Sequence, residues 1–265
     1  MTLLIDGQPY LTDRKVKHDI AFKPGMQNTT RQTAPWHGFG IHWTGAENSS
    51  DRVIRTLLAR GLSVQFIVEK DGTIVQTADL TTKCAHIGAG NGRFIGVETV
   101  CRGFATRDDL LKAKLEDPTL RDRDELDWSE PRDTYTDTIG DKKVNLASFG
   151  PQQIESLIWL SMTLSERFGF PRIVPHRKVT DDDIVSEMKR SPLPNIEKYV
   201  ITHHGSLWLP SFDRKPARFM SRSSNYRGVL GHLHVHKTKC DPGTEVFYKL
   251  WAAGFNPAGH KIVGV

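Results

Sequence analysis

"FGIHWT", residues 39–44, mixes β-branched and aromatic residues and reads as a strand. The segments around it set the fold class. "NSSDRVIRTLLARG" (48–61) predicts a helix: Ser49 or Ser50 caps it, Val53, Ile54, Leu57 and Leu58 form one face, and Gly61 stops it. "SVQFIVEKDGTIVQ" (63–76) predicts a hairpin with Asp71-Gly72 in the turn, and "FIGVETV" (94–100) another strand. In "GPQQIESLIWLSMTLSERFGF" (150–170) Pro151 suits a first helical turn and Gly169 a C-terminal stop, with Ile154, Leu157, Ile158, Leu164 and Phe168 on the buried side. "RIVPH" (172–176) reads as a short strand and "TEVFYKLWAAGF" (244–255) as a closing helix. Upstream, residues 1–35 read as polar and irregular apart from a hairpin at "LIDGQPYL". Strand, helix, hairpin, strand, helix, strand, helix predicts an α/β fold with a mixed central β-sheet flanked by helices.

A chain of 265 residues suits one such domain, 1–265, carrying insertions at about 102–148 and 177–228. Residues 102–143 are dense in Asp, Arg and Glu and read as a solvated excursion. Residues 177–228 are rich in charge, Pro and Ser. The net charge of +5 is an ordinary solubility feature, and no block of like charge resembles a nucleic-acid arm. No run of about 18 apolar residues offers a membrane span. "MTLLIDGQPYLTDRKVKHDI" lacks the basic start, apolar run and small-residue cleavage site of a secretory signal. Cys84, Cys101 and Cys240 are odd in number and form no C-x-x-C, which argues against a disulfide framework or a cysteine-rich zinc module.

"GHLHVHKTKCDPG" (231–243) concentrates metal-ligand chemistry. On an extended segment His232, His234 and His236 would face one way; on a helix only His232 and His236 would share a face. The H-E-x-x-H helix signature is absent. Asp241, before the Pro242-Gly243 turn, is either a ligand or a cap for the helix beginning near Thr244. Glu98 sits in an otherwise apolar strand, where a carboxylate must be paired or functional.

These residues resemble the zinc-dependent N-acetylmuramoyl-L-alanine amidases, the family that shares its fold with peptidoglycan-recognition proteins and bacteriophage amidase lysozymes. Five segments carry the resemblance in order: "GFGIHWTGA", "LSVQFIVEKDGTIVQ", "CAHIGAGNGRFIGVETV", "GPQQIESLIWLSMTL" and "GHLHVHKTKCDPG". Together they cover roughly a hundred residues and neither insertion. The resemblance implies Zn²⁺ held by His42, His232 and Asp241, with His234 the reserve for the second histidine and His176 third. It implies Lys239 as the catalytic lysine and Glu98 as the general base. His86 and Asn91 are expected to line the substrate groove, whereas nothing favours Arg93 over a surface arginine. Gln65 and Ala85 depart from the family, which often has histidine and an aromatic there.

The implied reaction is zinc-dependent hydrolysis of the amide between N-acetylmuramic acid and L-alanine, in peptidoglycan or in muropeptides. The competing readings are a non-catalytic peptidoglycan-binding module and another zinc hydrolase, a peptidase or deacylase. Because every candidate ligand, Glu98 and Lys239 are present, the enzyme is favoured. The expected setting is synthesis in the cytoplasm and action on the cell wall after release or delivery, with cytoplasmic recycling as the alternative. No nucleic-acid partner or membrane insertion is expected, and the sequence names no protein partner.

Overall fold

The computed structural model describes residues 2–26, 28–46, 48–116, 120, 128, 133–139, 142–190, 195–212, 226–235 and 239–262. The chain opens with the expected hairpin, β1 (Thr2–Ile5) against β2 (Gln8–Leu11). Then come β3 (Val16–Phe22), β4 (Thr30–Arg31), β5 (Gly38–Trp43) and helix α1 (Ser50–Ala59). The predicted hairpin is β6 (Phe66–Val68) and β7 (Ile74–Ala78), followed by β8 (Thr82–Lys83) and β9 (Phe94–Thr99). Helix α2 (Arg107–Glu116) and the pair β10 (Thr134–Ile139) and β11 (Lys142–Ala147) lead to α3 (Pro151–Phe168). The remainder is β12 (His176–Val179), α4 (Asp181–Arg190), β13 (Ile201–His203), β14 (Ser206–Pro210), β15 (Gly228–Gly231), the single turn α5 (His232–Val235) and α6 (Glu245–Ala252).

Six strands form the central sheet in the order β15-β5-β9-β6-β7-β3. β15, β5, β9 and β6 run parallel, β7 is antiparallel to β6, and β3 is parallel to β7. This is the mixed sheet flanked by helices that the element order predicts. Its strands alternate between two cores. Phe39, Ile41, Phe66, Val68, Ile95 and Val97 join the core shared with α3 and α6. The period of two turns Gly40, His42, Ile67, Gly96 and Glu98 toward the other face. There Val53, Ile54 and Leu57 of α1 pack on Ile67 and Val75. Full burial of each such side chain contributes roughly 1.5–3 kcal/mol.

Details differ from the sequence reading for physical reasons. Leu58, 37% exposed, stands off the face that α1 buries. Ser49 occupies the cap position of α1 without a side-chain bond, and Glu69 accepts the Ser50 N–H instead (3.0 Å). On α3 the fully buried stripe is Leu157, Leu160 and Leu164, while Ile154, Ile158 and Phe168 are only partly buried. The stretch read as irregular holds β3, an edge strand with only Val16 and Phe22 buried, so no alternation betrays it.

The expectation of a solvated excursion at 102–143 is corrected. Phe104, Leu110, Ala113, Tyr135 and Ile139, with Val144 and Leu146 just beyond it, form a buried cluster with Cys240. Asp109, 2% exposed, accepts from Thr106 and from the Asn145 N–H. The later charged segment is also built in. β12, β14 and β13 form a three-stranded sheet, and Ile196, Tyr199, Ile201 and Leu209 enter the main core. The strand predicted at 172–176 starts only at His176. Among the described residues no helix is long and apolar enough to cross a membrane.

Candidate metal centre

His42 lies near the end of β5, on the α1 face, 2% exposed. Parallel pairing of β15 with the first four residues of β5 carries the chain directly into His232, the first residue of α5. The Leu233 N–H donates to the Asp241 carbonyl (2.9 Å), which ties this turn to the segment bearing Asp241. His42 thus meets two residues distant from it in sequence: Asp241 Oδ2 stands 3.0 Å from His42 Nδ1, across 199 positions, and 3.3 Å from His232 Nδ1. One donor atom from each of the three lies within 4.8 Å of the others.

Proton accounting shows what this arrangement holds. His86 Nε2 lies 2.9 Å from the Phe94 carbonyl oxygen, which only accepts, so this nitrogen carries the ring's proton. Burial, and then the neighbouring imidazole of His42, keeps His86 well below the ordinary imidazole range. The ring is therefore neutral, and its Nδ1 is a lone pair. That lone pair faces His42 Nε2 at 3.1 Å, so His42 donates there. Burial also lowers His42, the Asp241 carboxylate offsetting only part of the effect. A neutral His42 donating from Nε2 presents a bare Nδ1 to a carboxylate oxygen at 3.0 Å. Two lone pairs at that distance repel unless a cation lies between them.

The donor set suits zinc. Ligand atoms about 2.0–2.1 Å from zinc at tetrahedral angles stand roughly 3.3 Å apart, which the separations of 3.0 and 3.3 Å match. Two imidazoles and one carboxylate leave a fourth position open, the pattern of catalytic rather than structural zinc. Burial would push the Asp241 carboxyl up. The His232 ring outweighs that and holds it far below the usual carboxylate range, so it stays ionised.

Glu98 is directly opposite His42 in the register of β5 and β9. Paired residues of neighbouring strands point to one face, so the carboxylate shares a cleft with the metal donors. The cleft has a volume of about 430 Å³, and Lys239, His86 and Trp43 also line it. Its outer wall carries Arg52, Thr56 and Arg60, spaced i, i+4, i+8 along α1. The sequence reading missed this stripe. The spacing was legible, but nothing in the sequence says that the polar side of α1 faces the site.

The other candidates are placed elsewhere. His234, the reserve ligand, is fully buried and points away: its Nδ1 accepts the Gly231 N–H (3.0 Å), its Nε2 faces the Ser211 carbonyl (3.2 Å), and Phe247 packs on its ring. His176 bonds the Val174 carbonyl and packs against Trp208. His236 lies outside the described residues. Asp241 does not cap α6, whose preceding Thr244 N–H is accepted by Asp137 (3.2 Å). Asn91, expected in the groove, is not among the cleft-lining residues, and Arg93 lies near the Phe94 ring. Gln65 is fully buried and bonds the Gly96 N–H and the Thr82 carbonyl.

The family model "Amidase_2: N-acetylmuramoyl-L-alanine amidase" matches residues 32–194, more than half of the 265. That stretch includes His42, His86 and Glu98, whereas His232, Lys239 and Asp241 lie beyond it. A search of curated proteins finds no significant match. Among solved structures, the Staphylococcus aureus hydrolase AmiA in complex with its ligand is 14% identical, covering 91% of this chain and 83% of that one, with a TM-score of 0.44. The N-acetylmuramoyl-L-alanine amidase LysC from Clostridium intestinale URNW is 19% identical over 59% of this chain and 78% of that one, TM-score 0.33. AmiD from E. coli, with an anhydro-N-acetylmuramic acid peptide as substrate, is 19% identical over 64% and 54%, TM-score 0.33. These overlaps are partial; the family match carries the assignment.

Proposed function

The chain belongs to the N-acetylmuramoyl-L-alanine amidase family, whose reaction is hydrolysis of the amide joining N-acetylmuramic acid to L-alanine, and on that premise we propose that His42, His232 and Asp241 form its zinc site. The carrying observation is the convergence of one donor atom each from His42, His232 and Asp241, all within 4.8 Å of one another, beside Glu98. Zinc supplies Lewis acidity toward the carbonyl oxygen and a water acidic enough to deprotonate near neutral pH.

Glu98 takes the proton from the attacking water and delivers it to the leaving amine of L-alanine. Its place opposite His42 sets it on the site's side of the sheet. Lys239, which lines the same cleft, offers a cationic donor to the carbonyl oxygen as negative charge develops there. Trp43 and Leu120 add apolar surface to the cleft. Incubating purified sacculi with the protein, with and without a chelator, and assaying new N-terminal L-alanine tests the reading. Release that is insensitive to chelation, or wall binding without release, would sink it.

Two expectations follow from the cleft. Lys239→Ala retains zinc but loses about 10²–10³ in turnover, the usual value of one oxyanion donor. Zinc analysis beside kcat checks this, and loss of the metal would make Lys239 structural. The second concerns Arg52 and Arg60, for which the structure shows no ion pair among the described residues. Facing the cleft, they suit the carboxylates of a stem peptide. Replacing both by alanine raises KM roughly 2- to 30-fold, from about 0.2–1 kcal/mol per exposed charge pair, with kcat unchanged. A fall in kcat alone would remove them from substrate binding.

A further inference from the structure

His86 shares the cleft yet has no nitrogen left for a substrate. Its Nε2–H is committed to the Phe94 carbonyl (2.9 Å), and its Nδ1 accepts from His42 Nε2 (3.1 Å). The ring lies on a floor made by two glycines that face each other in register, Gly40 of β5 and Gly96 of β9. A Cβ at Gly96 would come within 2.6 Å of His86 Cγ, and one at Gly40 within 3.4 Å of Cε1. A side chain at Gly96 would lift the imidazole off the sheet. The backbone is held from a third direction, where Asn91 Oδ1 accepts the N–H groups of both His86 (2.9 Å) and Ile87 (2.7 Å).

We propose that His86 is a positioning residue for the metal: its Nδ1 accepts the His42 Nε2–H, fixes the tautomer of His42 and turns the free Nδ1 of that ring toward His232 and Asp241. A continuous line of hydrogen bonds runs from the Phe94 carbonyl through His86 to His42. Without the acceptor, His42 is free to carry its proton on Nδ1, where it would block coordination. Asn91 and the glycine floor serve the same purpose at one remove, since they set where His86 stands. Partners that orient a ligating histidine are worth about 10- to 100-fold in metal affinity. The inference rests on the zinc reading above and replaces a substrate-binding role for both His86 and Asn91.

The test uses the full-length protein, wild type beside His86→Leu and His86→Asn. Zinc affinity is measured by chelator competition, KM and kcat at saturating zinc, and the His42 tautomer by long-range ¹H–¹⁵N correlation. His86→Leu weakens zinc binding about 10- to 100-fold and leaves KM unchanged once zinc is saturating. His86→Asn, whose Oδ1 falls near the position of Nδ1, retains most of the affinity, which a merely space-filling role would not explain. In the wild type His42 carries its proton on Nε2, and this preference is lost in the leucine variant. Unchanged zinc affinity in His86→Leu with a raised KM would overturn the proposal in favour of substrate contact. Equal loss in both variants would also overturn it. Failure of the wild type itself to bind zinc would instead bring down the metal reading on which it stands.

Discussion

Glu98→Gln lowers turnover by about 10²–10⁴-fold, the usual worth of a positioned general acid–base, and leaves zinc content unchanged. The substitution keeps the size of the side chain and its place opposite His42 on β9. What it removes is the only function an amide cannot perform, taking a proton from water and returning it to an amine. Glutamine is also less costly than a carboxylate in this partly buried position, so the variant is expected to be at least as stable as the wild type. Measured kcat, zinc stoichiometry and thermal unfolding on one preparation separate chemistry from folding. Turnover within a few-fold of wild type would move the base elsewhere in the cleft.

Asp241→Asn has the second large effect, and on binding rather than on proton transfer. The His232 ring holds this carboxylate ionised against its burial, so its negative charge is what makes the two imidazoles a site for a cation. An amide presents the same shape without the charge. Zinc affinity falls by more than the roughly 10- to 100-fold typical of a group that merely orients a ligand, and activity falls with it. Unfolding scans give a direct reading. Free zinc at a hundred times Kd stabilises the wild type by about 2.7 kcal/mol, or roughly 5–10 °C for a chain of this size. The variant shows no such shift at the same zinc concentration. A zinc-dependent shift equal to wild type would exclude Asp241 as a ligand and reopen the assignment of the C-terminal cluster.

The sequence made some of this legible and hid the rest. Strands β5 and β9 announce themselves because they are buried on both faces, and α1 and α3 because their apolar residues recur at helical spacing. The three-histidine cluster was ambiguous for a reason of secondary structure. One helical turn at 232–235 parts His232 from His234, sending the first to the metal side and the second into the core beside Phe247. His86 lines the cleft as expected, whereas Asn91 does not; the partners of Asn91 are backbone groups, the N–H groups of residues 86 and 87. No residue type encodes such a partner. The segment at 102–143 looked solvated because charge dominates its composition. The alternation of Tyr135, Asp137 and Ile139 against Val144 and Leu146 was the available signal of a pleated pair.

The central sheet joins the beginning of the fold to its end. β5 and β15 are neighbours, with Gly38 against Gly228 so closely that a Cβ on the former would overlap the carbonyl of the latter. β5 carries His42, and the chain that leaves β15 carries His232 and Asp241. A ribosome must therefore release nearly the whole domain before His42 meets His232 and Asp241, and no partial chain holds a metal in this way. Contacts this distant in sequence form late and slowly. With the zinc site proposed above, activity therefore begins only once these two ends of the sheet have come together.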